Sequence, residues 1–287
     1  MAITIICPGG AGDILLATGI LKYRDELWPG EKIVWFSAEN NLYVLDGIRC
    51  IDQVKKVVID TCYRWEDLAP NKVFVPCAWM NWPGQPEPFP PEMTTIEKIR
   101  YSFEKRMPGT KIVGEWHPCL EYSEQDEAEA LDIVRRLPAG KKIMLETEFR
   151  SGQSFLDEST LSEMMEKVRS VWGDCSFVFV SKKNAACEDK GVFQFPGLSF
   201  PVVLALFGCM DAFMGVASGI TCAICSWAAN PDVPRFEVIN HPSMVTREIA
   251  RGPYSVALEK GGLFGKLSSF LGGNYDFIPS NRTSPLS

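Results

Sequence analysis

Three features of the sequence predict an α/β chain of two doubly wound halves. Short apolar runs alternate with amphipathic helical stretches from the first residues onward. The alternation stops at Pro138-Ala139-Gly140 and then begins again. At 287 residues the chain suits two units of roughly 130–150 residues, each long enough to bury a core. Successive βα units build parallel sheets covered by helices, with ligands at the carboxyl ends of the strands. The expected domains are residues 1–138 and 139–287, facing a central cleft, the second carrying a last helix and a tail.

In the first half, "ITIIC" (3–7) is a buried strand ended by Pro8-Gly9-Gly10. Leu16, Ile20, Tyr23 and Leu27 share one face of a helix running from Asp13 to Leu27, which Pro29-Gly30 stops. "KIVWFS" (32–37) is the next strand and "ENNLYVLDGI" a short helix; "VKKVVID" (54–60) and "KVFVPC" (72–77) are two further strands. Five prolines in residues 81–93 cannot join a helix or a central strand. That stretch, with Trp79 and Trp82 beside it, reads equally well as a stiff connection or as a loop facing a substrate. "TTIEKIRYSFEKRM" and residues 123–137 are helices, the latter acidic early and basic late as the helix dipole favours.

In the second half, "KIMLE" (142–146) is a strand, followed by a loop and a helix on Leu161, Met164, Met165, Val168 and Trp172. Strands are expected at "SFVFVS" (176–181), "VFQF" (192–195), "DAFMG" (211–215) and "RFEVIN" (235–240). A helix with Ser199 and Pro201 at its start ends at Gly208. Another opens at Ser218, and residues 261–271 form the last.

A net charge of −7, with no basic block, excludes nucleic acid as a partner. The ten cysteines are scattered, several inside apolar runs, which reads as buried free thiols in a reducing compartment. No apolar run approaches the ~18 residues of a membrane span, and no signal-peptide pattern opens the chain. The expected location is the cytoplasm, with a peripheral place at the inner face of the membrane left open.

Three stretches offer chemistry. Gly9, Gly10 and Gly12 permit a tight turn and close approach of a ligand to backbone N–H groups, but lack dinucleotide-binding spacing. Asp13 follows them. An aspartate in a first helical turn caps N–H groups, and one at the end of a first strand can also take a proton from a hydroxyl. In "FMGVASGITCAICSWA", Ser218, Gly219 and Thr221 open a helix that could hold a diphosphate; an ordinary serine cap is the plainer reading. Cys222 and Cys225 there read as core, since only two histidines exist and no second cysteine pair supports a metal. In "LETEFRSGQSFLD", Thr147, Arg150, Ser151 and Gln153 offer phosphate donors at the same cleft edge; a solvated surface loop reads equally well. His117, beside Pro118, reads as structural.

Together these stretches resemble the heptosyltransferase-type glycosyltransferases, family 9 of the GT-B fold. "GDILLATGILKYRDELWPGEKIVWFS" resembles that family's opening G-D-x-L-x-x-T-P-x-L, and "GIRCIDQVKKVVI" its continuation. "LSFPVVLALFGCMDAFMGVASGITCAICSWA" resembles the second-half signature, an apolar helix followed by D-[ST]-G-x-x-H. The resemblance implies a GT-B architecture, with an acceptor-side first domain and a nucleotide-sugar-side second one. It implies an inverting sugar transfer from a nucleoside-diphosphate sugar to a glycan or lipid-linked acceptor, with Asp13 as general base and no cofactor or metal. Thr147, Arg150, Ser151, Gln153, Ser218, Gly219 and Thr221 would face the donor, and Gly9, Gly10 and Gly12 the acceptor side. The chain departs from the pattern at Gly19, where the family has Pro, and at Ala217 and Cys222, where it has Asp and His; it also lacks the lysine of the phosphate loop. These departures keep a second reading open, a catalytically inactive binding module of the same fold.

Overall fold

The structure is a computed structural model describing residues 2–57, 73–74, 95–107, 109–147, 156–181, 191–216, 218–239, 254–257 and 263–272. Apolar runs without polar alternation belong in strands buried on both faces, and Ala2–Ile6 forms one such strand, β1. It pairs in parallel with β2 (Lys32–Ala38) on one side and β4 (Val73–Phe74) on the other. β3 (Gln53–Val57) pairs with β2, giving the order β3-β2-β1-β4. β3 is exposed except at Val57 and carries Lys55 and Lys56, charges that discourage pairing with another chain. Residues 58–60, 75–77 and 81–93 lie outside the described residues.

The second sheet holds β5 (Lys141–Glu146), β6 (Cys175–Phe179), β7 (Val192–Gln194), β8 (Ala212–Val216), β9 (Arg235–Ile239) and β10 (Tyr254–Ala257). Its order is β10-β9-β8-β5-β6-β7, every pair parallel. That is the doubly wound arrangement, with the winding reversing between β5 and β8; the first sheet reverses at the equivalent place, between β1 and β4. Sequence reading missed β10, a strand of four residues with no apolar run to announce it.

The expected helix over residues 13–27 is helical throughout but not one α-helix. α1 (Ala11–Ala17) tightens into a 3-10 segment at Thr18–Tyr23 and relaxes into α2 (Arg24–Leu27). The cause lies in two carbonyls. The Thr18 hydroxyl donates to Leu15 O at 2.6 Å, and the Trp116 indole N–H donates to Leu16 O at 2.6 Å. Side chains that take ladder carbonyls leave the shorter i→i+3 spacing to continue the turn. Trp116 reaches Leu16 only because residue 19 is glycine: a Cβ there would lie 2.4 Å from the indole nitrogen.

The remaining helices follow their sequence signals. α3 (Thr95–Glu104) buries Ile96, Ile99 and Phe103. α4 (Glu124–Arg135) starts with a reciprocal cap, in which Ser123 Oγ accepts the Asp126 N–H and Asp126 accepts the Ser123 N–H. α5 (Glu158–Trp172) is capped by Asp157, whose carboxylate accepts the Thr160 N–H at 2.7 Å. Ser199 caps α6 (Phe200–Phe207), which is buried along its whole length. α7 (Gly219–Ala223) is short, and α8 (Leu263–Leu271) packs beside α5.

Two apolar cores result. The smaller lies between one face of the second sheet and α5 and α8. The larger includes Ile3, Ile5 and α1 from the first half together with α4, α6, Met144 and Val178. Within it, α4 packs on α6 and α1 on α7. Residues 116–119 are fastened to both halves. Trp116 and Cys119 bind the first, through Leu16 O and Thr18 Oγ1. His117 donates Nδ1–H to Cys225 O at 3.1 Å, and Pro118 O accepts the Trp227 N–H at 3.1 Å.

Candidate functional site

The carboxyl ends of β1 and β8 run into α1 and α7, so these helices open side by side where both sheets offer a ligand site. The contact is close because small residues make it. A Cβ on Gly12 would stand 3.2 Å from the Cys222 sulfur, and one on Gly219 would stand 2.9 Å from Ala11 Cβ. Gly9, Gly10, Gly12 and Asp13 are thus brought together with Ser218, Gly219 and Cys222.

Asp13 is half-buried in the first turn of α1. Its Oδ2 accepts the Gly10 N–H at 3.0 Å, the cap that the plainer sequence reading expected. The loop before it is held from β2 and the turn that follows it: Ser37 Oγ donates to Cys7 O at 3.0 Å, and Asn41 Nδ2 donates to Gly9 O at 2.8 Å.

On the other side, Ser218 Oγ accepts the N–H groups of Ile220 and Thr221 at 3.1 and 3.3 Å. In both bonds the Ser218 hydroxyl oxygen is the acceptor. Thr221 is fully buried, and its hydroxyl donates to Val216 O at 2.7 Å, tying α7 back to the strand that precedes it. Burial pushes the Cys222 thiol well above its ordinary range, and Cys225, Glu237 and Asp13 nearby push it the same way. Burial takes Cys225 up to about 12, against the opposing charge of Arg235. Both cysteines are core thiols held in the protonated form.

Thr147 leaves the end of β5, where its N–H donates to Ser181 Oγ at 3.3 Å; that hydroxyl donates in turn to Glu146 Oε1 at 3.0 Å. Arg150, Ser151 and Gln153 lie outside the described residues, as does Ala217. Sequence reading missed two buried carboxylates beneath the site. Glu146, Gly215 and Glu237 are in register across β5, β8 and β9, so both glutamates stand on one face with Gly215 between them. Glu146 is 1% and Glu237 0% exposed. A Cβ on Gly215 would lie 2.9 Å from Glu146 Cβ, so the glycine makes room for that side chain. The signal was present: "KIMLE" ends an apolar strand on a carboxylate, and "RFEVI" places one at a strand's centre.

No family model matches the sequence, and no curated protein does. Solved structures do match over nearly the whole chain. E. coli heptosyltransferase WaaC with ADP aligns at a TM-score of 0.65 and 14% identity, covering 96% of this chain and 100% of its own. E. coli ADP-heptose LPS heptosyltransferase II aligns at 0.64 and 10% identity, covering 95% and 99%. A family 9 glycosyl transferase from Veillonella parvula aligns at 0.60 and 14% identity, covering 96% and 92%. At these identities the likeness is one of fold: this chain has the GT-B architecture of the heptosyltransferases, two parallel α/β sheets arranged as theirs are.

Proposed function

We propose that the chain is an inverting sugar transferase that uses a nucleoside-diphosphate sugar, with Asp13 as general base. The observation that carries this reading is the placement of Asp13. It stands half-buried where the end of β1 meets α7, at the switch points where doubly wound sheets take ligands. The likeness in fold to a heptosyltransferase that binds ADP supports a sugar nucleotide as the donor.

In this reaction the Asp13 carboxylate takes the proton from an acceptor hydroxyl as its oxygen attacks the anomeric carbon. The bond from that carbon to the diphosphate breaks on the opposite face, so the configuration inverts. The leaving diphosphate takes the electron pair and is held by donors, which lowers the cost of its charge. The Ser218 hydroxyl, Gly219 and Thr147 stand at the right strand ends for this. Arg150, Ser151 and Gln153 are proposed to add charge and hydroxyls from the loop after β5. Thr221 serves indirectly, by anchoring α7. The acceptor is a glycan or a lipid-linked sugar; among the described residues no helix is long and apolar enough to cross a membrane.

One observation favours the second reading, a binding module without catalysis. Asp13 already accepts the Gly10 N–H, and the Cys222 sulfur packs against Gly12, so both groups have structural employment. A thermal-shift titration with ADP, GDP, UDP and CDP, free and sugar-linked, separates the two. Saturating binding at a hundredfold over the dissociation constant stabilises by about 2.7 kcal/mol. For a chain of this size that raises the melting temperature by about 4–5 °C. With the donor identified, Asp13→Asn is expected to abolish transfer while keeping that shift, and Arg150→Ala to weaken it. Turnover in Asp13→Asn refutes the base. The absence of any shift at millimolar nucleotide leaves the binding module.

A further inference from the structure

The loop that carries Asp13 contains one peptide unit engaged at both ends. The carbonyl of Gly9 accepts the Asn41 side-chain amide at 2.8 Å, and the N–H of the same unit, that of Gly10, donates to Asp13 Oδ2 at 3.0 Å. A trans peptide is planar and rigid, with its C=O and N–H pointing in opposite directions, and this chain has no cis peptide among the described residues. Fixing the oxygen therefore fixes the hydrogen. The chemistry also settles which way the Asn41 amide faces, since its oxygen cannot stand against a carbonyl.

We propose that Asn41 is a positioning residue for Asp13, acting through the Gly9–Gly10 peptide to set the direction of the carboxylate. This rests on Asp13 being the base. Three features make the clamp firm. Asn41 sits in the 3-10 turn Glu39–Leu45, directly after β2, so it is placed by the sheet rather than by a loose loop. Ser37, at the end of the same strand, holds Cys7 O and so fixes the start of the loop. The turn is braced from the second half as well: the Tyr43 ring stacks on Phe200 at 5.8 Å and 10°, and a Cβ on Gly219 would lie 3.2 Å from that Phe200 ring. The clamp thus links β2, the Asp13 loop and the opening of α7.

Asn41 touches no reacting atom in this scheme. Its loss would let the Gly9–Gly10 peptide rotate, and Asp13 would lose the N–H that selects its orientation. Hydrogen bonds to a neighbouring peptide also polarise it, so the Asn41 amide strengthens the Gly10 N–H as a donor.

Two substitutions separate donation from packing. Asn41→Leu keeps the shape of the side chain and removes the donor; Asn41→Ala removes both. In the full-length protein, the exchange rate of the Gly10 amide proton, measured by NMR, is expected to rise about tenfold in both variants. With the sugar nucleotide found by thermal shift as donor, kcat is expected to fall about 10- to 100-fold in both. KM for the donor should stay constant, because the donor is held from the other half. Wild-type Gly10 protection in Asn41→Leu, or wild-type kcat there, overturns the proposal. A rise in KM with kcat unchanged overturns it too. A wild-type protein that transfers no sugar defeats the underlying reading instead, and the Gly10 exchange rates then still decide whether Asn41 holds this peptide.

Discussion

Replacing Gly19 by alanine adds one methyl group where there is no room for it. The Cβ would fall 2.4, 2.6 and 2.7 Å from three atoms of the Trp116 indole, against the 3.4–4 Å of ordinary contact. The ring has nowhere to go. It is 1% exposed, stacked beside Tyr23 at 6.4 Å and tilted against Phe103 at 6.2 Å, with Arg100 over its face at 5.4 Å. Overpacking a filled core costs about 1–3 kcal/mol. Displacing the indole also stretches its 2.6 Å bond to Leu16 O, which adds about 1 kcal/mol. Against this, alanine favours a helical backbone over glycine by about 0.5–1 kcal/mol. The net loss is about 1–3 kcal/mol, a fall in melting temperature of about 2–5 °C for a chain of this size. Thermal unfolding followed by circular dichroism reads it directly. The cause is checked in a Trp116→Leu background, where the same alanine should cost clearly less, since the two sites are in contact. A Gly19→Ala protein as stable as wild type, or an equal loss in both backgrounds, refutes the reasoning.

Three further outcomes are expected. Gly265 lies exposed within α8 with nothing near its missing Cβ, so Gly265→Ala should stabilise by about 0.5–1 kcal/mol; an unchanged or lower melting temperature counts against it. Burial raises the Asp211 carboxyl, but hydrogen bonds from the Lys141 ammonium and the Lys142 N–H, with both lysine charges, hold it below its usual range. A depressed carboxylate contributes stability above its unfolded value, about 4, and loses it as pH falls through the lower folded value. Urea midpoints should therefore show Asp211→Asn weaker than wild type at pH 6, with the gap closing towards pH 3 and below; a constant gap contradicts the linkage. Finally, Cys119 is pushed up to about 12 by burial, as Cys225 is, with Cys222 also far above its ordinary range. Iodoacetamide at pH 8 should leave these three unlabelled in the native protein and label them in urea. Peptide mass spectrometry showing early native labelling of Cys222 would place it outside the core.

The strands were legible because a parallel sheet covered on both faces needs unbroken apolar runs, and "ITIIC", "KIVWFS" and "SFVFVS" are such runs. Two caps were legible for a similar reason: Ser199 and Ser218 act on N–H groups two or three residues away, so cause and effect share one window; Ser123 and Asp157 cap in the same way but were not singled out in the sequence. The 3-10 segment after α1 was not legible, because one of its two causes, the Trp116 indole, is a hundred residues distant. At the site, the meeting of Asp13 with the opening of α7 followed from fold alone. The partner a hydroxyl finds did not: the sequence offers Thr221 as a donor, and nothing in it shows that Val216 O receives that proton. Glu146 and Glu237 were passed over because a strand's register decides whether two acidic residues share a face, and register is not written in either strand.

The fastening of residues 116–119 to both halves has a consequence for how this chain could acquire new specificities. Proteins built of two separable units can trade one unit for another and gain a new ligand at a stroke. Here such a trade would part α4 from α6 and α1 from α7, and would cut a core that belongs to neither side alone. An incoming half would have to bring matching faces for the two helices that stay behind, together with partners for the two hydrogen bonds that cross between the halves, from His117 to Cys225 O and from the Trp227 N–H to Pro118 O. Change is therefore channelled into the connections at the strand ends, where residues can be replaced, lengthened or recharged while the joined scaffold stays as it is.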